Sequence, residues 1–303
     1  MTEKQKALVT VYIPTRNRLA LLRRAIGTVQ SQTYRNIELI VVDDGSTDGT
    51  REYLAGEMAA GVLTAIFQEK CLGACAARNA AIVAAHGEFV TGLDDDDYFL
   101  SDRRIEWFVE SWQTAGPGVA GIFDSVKFNT SAGIIEAHQS ASASYRQLRR
   151  QNLVGNQVFA PRRHYIEAGL FDVGMPAWQD WDLWIRMSEK FGAFINLNRL
   201  TCMMDELHDS ERIKHRDGQV IRAAMRRMSG KIGNISLAER GWLIAILHAY
   251  PQVRPTVMEI GILMLAFRPR LVLRAVRRRL AGIGKGERTR FVRDIKDRGD
   301  KKT

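Results

Sequence analysis

Gly87-Glu88-Phe89-Val90-Thr91-Gly92-Leu93-Asp94-Asp95-Asp96-Asp97-Tyr98 is the stretch from which the fold is read. Its first half is a short, largely apolar run with strand character. Its second half places four carboxylates side by side, which is costly to fold unless a counter-charge meets them. An acidic cluster at the C-terminal end of a strand occupies the edge where open α/β sheets bind ligands. Two readings follow. The carboxylates supply oxygen ligands to a hard divalent cation, Mg²⁺ or Mn²⁺, which shares its remaining positions with phosphate and water. Alternatively they form a solvated acidic loop that caps a helix starting near Ser101.

Upstream of this stretch the same pattern recurs. Leu8 to Ile13 is a β-branched run ended by Pro14, and the amphipathic segment Leu19 to Gln30 follows it. Ile37 to Val42 precedes a helix near Thr50 to Ala60, Val62 to Phe67 precedes one near Ala74 to Ala85, and Glu88 to Leu93 precedes one near Asp102 to Thr114. Four strand-helix units in succession predict an α/β domain, Rossmann-like, with a mostly parallel sheet and helices on both faces. Three strand ends carry unusual polar residues: Pro14 to Arg18, Asp43-Asp44-Gly45-Ser46, and the acidic run.

The glycines, Ser46 and Thr47 at the second of these ends are turn and helix-cap chemistry. Two adjacent aspartates at a buried strand terminus are less easily explained that way, and a carboxylate there suits the imide N–H of a uracil-type base. In Gly73 to Ala81 the alanines let a helix pack closely on the sheet, leaving Arg78 as either a stray charge or a partner for a pyrophosphate or the aspartates. The chain of 303 residues, 46% hydrophobic and 26% charged, is long enough for one large domain with an appendage. Its three cysteines, Cys71, Cys75 and Cys202, lack zinc-site spacing and fit a reduced cytoplasmic protein, with Cys71 and Cys75 read as packing residues. The polar start, Met1 to Ala7, runs straight into a strand and leaves no room for a signal peptide.

Together the segments VTVYIPTRNR (Val9–Arg18), Gln32-Thr33-Tyr34 leading into IELIVVDDGSTDGT (Ile37–Thr50), GACAARNAA (Gly73–Ala81) and GEFVTGLDDDDYF (Gly87–Phe99) resemble the family 2 glycosyltransferases, in order and separation. A fifth segment, Trp178 to Arg186, resembles that family's acceptor-side motif, with Gln179 where an acidic residue is more usual. The resemblance implies the GT-A fold and transfer of a hexosyl unit from a UDP-sugar, with inversion, to a hydroxyl of a glycan or lipid-linked acceptor in bacterial surface polysaccharide synthesis. Carried over by residue, it implies that Pro14, Thr15, Arg18, Asp43 and Asp44 hold the nucleoside, with Arg78, Asp94 and Asp95 on the sugar nucleotide. It further implies that Asp96 binds Mn²⁺ or Mg²⁺ with His208 in the loop beyond Asp205, and that Asp180 is the general base. A non-catalytic nucleotide-sugar or glycan binder of the same fold is the alternative. As a helix start, Asp180 also reads as an N-cap, with its neighbouring tryptophans as core.

Ser125 to Arg150 is poorly patterned and reads as short strands followed by a mobile polar loop near the acceptor side, and Asn152 to Val158 reads as a return strand with a glycine turn, expected to line the donor sugar. The expected division is a GT-A domain over residues 1–210, its nucleotide-sugar half about 1–100 and its acceptor half about 101–210, followed by a basic, largely helical region over 211–303. That region holds 23 Lys and Arg against 8 Asp and Glu, whereas residues 1–210 hold 21 against 26. Helices are expected at Gly218 to Lys231, Leu237 to Tyr250 and Thr256 to Phe267. The last is too short to span a bilayer. The arginines 274 and 277–279 among Leu271, Val272, Leu273 and Val276 form a basic amphipathic pattern, either a solvated helix face or a peripheral contact with an anionic membrane on its cytoplasmic side. Absence of aromatic-basic interleaving argues against a nucleic-acid partner.

Overall fold

The structure is a computed structural model that describes residues 6–207, 217–266 and 269–281. These fall into two compact units, one of residues 6–145, 153–173 and 179–207, the other of residues 146–152, 174–178 and the described residues from 217 on.

In the first unit the chain alternates β1 (Val9–Thr15), α1 (Leu19–Gln30), β2 (Ile37–Asp43), α2 (Thr50–Ala59), β3 (Thr64–Phe67), α3 (Ala74–Ala84) and β4 (Phe89–Gly92). All seven residues of β1 are buried, as the central strand of a parallel sheet covered on both faces requires. In α1, Leu22, Ala25, Ile26 and Val29 are buried at helical spacing and join the core with Val9, Val11, Ile13 and Val41. The chain builds from β1 through β2 to β3, then returns to set β4 on the other side of β1, all parallel. The switch point therefore lies between β1 and β4, where such sheets open to ligands.

Pro14 was expected to end the first strand. Instead β1 continues through Thr15, with Pro14 opposite Val42. The reason is directional. Tyr12 faces β4, its carbonyl accepting from Leu93 N at 2.9 Å, so Pro14, two residues on, faces the same side. The pairing with β4 has already stopped at Tyr12 and Gly92, so no ladder bond needs the N–H that proline lacks.

The chain continues through β5 (Tyr98–Phe99), α4 (Arg104–Thr114), β6 (Val119–Thr130), β7 (Gly133–Ala137), β8 (Ser142–Ala143), α5 (Tyr145–Leu148), β9 (Ala160–Pro161), α6 (Arg162–Glu167), α7 (Gln179–Phe191) and β10 (Ala193–Asp205). Strand β9 closes the first sheet, antiparallel to β4. A second sheet, ordered β5-β10-β6-β7, is built on the long parallel pair β6 and β10. The return strand expected over Asn152 to Val158 is irregular chain. Gly155 turns there at φ +95° and its carbonyl accepts from Trp184 Nε1 at 2.8 Å, so pairing begins only at Phe159, which bridges Ile122.

The second unit contains α8 (Gly218–Ile232), α9 (Leu237–Leu247), α10 (Val257–Leu265) and α11 (Pro269–Ala281). Asp217 caps α8, and reciprocal capping boxes, Ser236 with Glu239 and Thr256 with Glu259, start α9 and α10. Ile244, Ile260, Leu263 and Ala275 pack α9, α10 and α11 together. Among the described residues no helix is long and apolar enough to cross a membrane.

Candidate active site

The ends of β1 and β4 bring the first set of expected residues together. Thr15 Oγ1 donates to Asp95 Oδ2 at 2.8 Å, and Arg18 Nη1 donates to Asp95 Oδ1 at 2.8 Å and to Asp96 Oδ2 at 3.3 Å. Burial lifts the Asp95 carboxyl to about 6, with Arg18 opposing and Asp96 reinforcing that rise. The four carboxylates do not point together. A tight turn, Asp97 N to Asp94 O at 3.0 Å, splays them, and Asp97 Oδ1 accepts from Asp205 N at the end of β10 at 3.1 Å. Arg24 of α1 ties these segments, donating to the Asp96 carbonyl at 2.6 Å and to Asp205 at 2.9 Å.

A second set gathers around Arg78, buried on α3. Its Nη2 donates to Asp94 Oδ1 at 2.8 Å, and its Nη1 stands 3.9 Å from Asp180 Oδ1 in the first turn of α7. Asp180 Oδ1 is buried and has no hydrogen-bond partner. Burial raises the Asp180 carboxyl to about 6, against the pull of Arg78 and with the push of Asp94. Gln157 completes the group, donating to Asp94 Oδ1 at 3.2 Å and accepting from Tyr12 OH at 3.4 Å. Gly92 makes room for it, because a Cβ at that position would fall against Gln157 Oε1 and 2.5 Å from the Tyr12 ring.

Asp43 ends β2 and Asp44 follows it, and both are engaged in holding loops. Asp43 accepts from Ser46 N at 3.1 Å and pairs with Arg51 at 3.3 Å, while Asp44 accepts from Leu72 N at 2.6 Å and Gly73 N at 2.9 Å. Asp44 N bonds the Thr15 carbonyl at 2.9 Å, so this wall is fixed to the end of β1. Cys75 is buried and burial pushes its thiol up to about 12, in keeping with a packing role. Cys71 is exposed, its thiol donating to Asp44 at 3.2 Å, which corrects its expected burial.

Among the described residues no three His, Cys, Asp or Glu side chains form a metal cage. His208 lies outside the described residues. The acidic edge nonetheless suits Mg²⁺ or Mn²⁺, which is commonly held by one or two carboxylates plus substrate phosphates. An arginine donates to each of Asp94, Asp95 and Asp96, so these contacts do not single out one of the three as the ligand. Sequence reasoning missed Arg24, Tyr12 and Asp205, and reached Gln157 only as part of a segment expected to line the donor sugar. Each sits in an ordinary helix, strand or loop context, and no spacing singles it out.

Comparison with known proteins gives the family and the fold. The profile described as "Glycosyl transferase family 2" matches residues 10–164. The putative colanic acid biosynthesis glycosyl transferase WcaA of Escherichia coli (strain K12) is 34% identical over 194 residues, 62% of this chain and 69% of that protein. WfaP of Escherichia coli, a UDP-Glc:alpha-D-GlcNAc-diphosphoundecaprenol beta-1,3-glucosyltransferase, is 34% identical over 96 residues, 32% of this chain and 38% of its own. The crystal structure of S. aureus TarS 1-349 in complex with UDP superposes with a TM-score of 0.62 at 15% identity, covering 87% of this chain and 82% of that one, a likeness of fold. With the matching profile spanning half of its length, the chain belongs to glycosyl transferase family 2 and is a glycosyltransferase of the GT-A fold.

Proposed function

We propose that this glycosyltransferase is inverting and metal-dependent, moving a hexosyl unit from a UDP-sugar to a hydroxyl of a glycan or lipid-linked acceptor in the synthesis of a bacterial surface polysaccharide. The observation that carries the proposal is the unpartnered Asp180 Oδ1 beside the Arg78 and Asp94 pair at the switch point of the sheet. The printed activities of WcaA and WfaP support the process and the lipid-linked acceptor, and the UDP complex of TarS supports the donor.

Attack by an acceptor hydroxyl on the anomeric carbon needs a base for the hydroxyl proton. Asp180 takes that role, because its Oδ1 carries no competing donor. Its raised pKa, about 6, makes it a stronger base than a solvated aspartate while leaving it ionised at neutral pH. Arg78 orients the pair by holding Asp94 toward the sugar side and stabilising the Asp180 carboxylate. Pro14, Thr15, Arg18, Asp43 and Asp44 form the nucleoside wall, with Asp95 locking Thr15 to Arg18. A divalent cation, when bound, supplies Lewis-acid stabilisation of the departing diphosphate. Asp96 would hold it, with His208 as a second ligand. Residues 1–210 form the catalytic domain and 211–303 a basic appendage, peripheral to a membrane where the acceptor is lipid-linked.

Release of nucleoside diphosphate from a panel of UDP- and GDP-sugars, with Mn²⁺, Mg²⁺ or EDTA, tests the reading. Metal-dependent release from one UDP-sugar is expected. Tight donor binding without release, even with lipid-extract acceptors present, would replace it with a non-catalytic binder.

A further inference from the structure

In the second unit, α10 has a face that its own packing leaves unused. Val257, Met258, Met264 and Leu265 are 70%, 74%, 56% and 71% exposed. With Gly261 between them, these positions fall within an arc of about 120° at the turn of an α-helix. Scattered exposed apolar side chains are ordinary, whereas a contiguous stripe marks an interaction surface. The opposite face, Glu259, Ile260 and Leu263, is buried.

The placement of charge narrows the partner. Glu259 is the one charged residue in α10, and it is turned inward, where it pairs with Arg222, lies 3.0 Å from His248 Nε2 and accepts from the Thr256 N–H at 2.8 Å. A glutamate in a water-facing helix ordinarily takes the outer face. Here the outer face is left without charge. Flanking it in sequence are two exposed arginines, Arg254 and Arg270, and Leu273 of α11 adds another exposed apolar side chain at 53%.

We infer that the outer face of α10 is a docking surface for an anionic lipid bilayer, with Val257, Met258, Met264 and Leu265 entering the headgroup boundary and Arg254 and Arg270 meeting lipid phosphates. An uncharged apolar face with cationic flanks is the arrangement by which short helices lie in a membrane interface. A second copy of this chain would also cover the stripe. It would set the excess positive charge of residues 211–303 against itself, which favours the lipid. The inference extends the proposed lipid-linked acceptor, on which it rests for its purpose, and it is tested separately.

The test is flotation of the full chain with vesicles of phosphatidylglycerol and phosphatidylethanolamine in equal parts, against vesicles of phosphatidylcholine. The chain is expected to float with the anionic vesicles, less so as salt rises, and not with phosphatidylcholine. Met258→Asp with Leu265→Asp is expected to lower partitioning about tenfold or more, with unchanged circular dichroism and donor release. The neutral pair Met258→Gln with Leu265→Gln gives an intermediate loss and guards against misfolding of the charged pair. No flotation with anionic vesicles, or flotation indifferent to both pairs, would overturn the inference. So would a solution dimer that the substitutions dissolve, which would assign the stripe to a second copy. Vesicle binding in a chain that releases no nucleoside diphosphate would leave this surface standing and strike the transferase reading alone.

Discussion

Two buried arginines of the first unit, Arg104 and Arg78, are each set against aspartates, and the contrast separates support from chemistry. Arg104 of α4 grips Asp124 of β6 with two nitrogens, Nε at 3.1 Å and Nη2 at 3.2 Å, between the rings of Phe99 and Phe108. Thr201 of β10 hydrogen-bonds the same carboxylate, so both its oxygens are occupied and three elements of the second sheet region are joined. Arg78 makes one short bond, to Asp94, and leaves Asp180 Oδ1 at 3.9 Å without a hydrogen bond. In the Arg104 cluster the carboxylate is bonded at both oxygens and holds elements together, and the atom left over is a donor, Arg104 Nη1. In the Arg78 cluster a carboxylate oxygen is left available and the pKa of that group is shifted, as at sites of catalysis.

The largest expected effect of this difference is on turnover. Asp180→Asn should lower kcat for transfer by about 10²-fold to 10⁴-fold. The same substitution should not unfold the protein. Because the Asp180 carboxyl sits above the ordinary aspartate value of 3.8, it binds a proton more readily folded than unfolded. Its stabilising contribution is thus full below about pH 4 and lost as pH rises through about 6, so the asparagine variant should gain stability over the wild type at pH 8. Arg104→Met should do the reverse. It leaves Asp124 buried and unpaired, at about 3–5 kcal/mol of unfolding free energy in urea titrations, with kcat per folded molecule unchanged.

Sharper still is the pH profile. The base must be ionised, so kcat/KM should fall about tenfold per pH unit below about pH 6 and level off above it. Arg78→Gln removes the cation that opposes the rise and should move that limb to higher pH. The smallest effect is expected from Gly92→Ala, whose Cβ meets Gln157 and the Tyr12 ring. It should cost about 1–3 kcal/mol in thermal unfolding and raise KM for the donor by displacing Gln157 from Asp94.

The sequence was most legible where folding is local. Parallel strands buried on both faces are continuous apolar runs, and α2, expected over Thr50 to Ala60, ends at Ala59. The second sheet was not legible, because β6 and β10 pair across some seventy residues and β10 shifts register three times between Ala193 and Cys202. The acidic run was legible as a site but not in its division of labour. Adjacent carboxylates are sent to different partners by one turn, Asp94 to Arg78, Asp95 to Thr15 and Arg18, Asp97 to Asp205. Nothing in the amphipathic pattern of Leu19 to Gln30 marks Arg24, and only the tertiary fold sets it between Asp96 and Asp205.

The most direct test of the Arg78 cluster is transfer by Asp180→Asn measured beside its affinity for UDP by calorimetry, with the wild type and Arg104→Met alongside. Unchanged UDP affinity with transfer lowered at least a hundredfold only in the Asp180 variant is the expected result. Transfer within about threefold of wild type in Asp180→Asn would contradict the assignment of the base and, with it, the distinction drawn between the two arginine clusters.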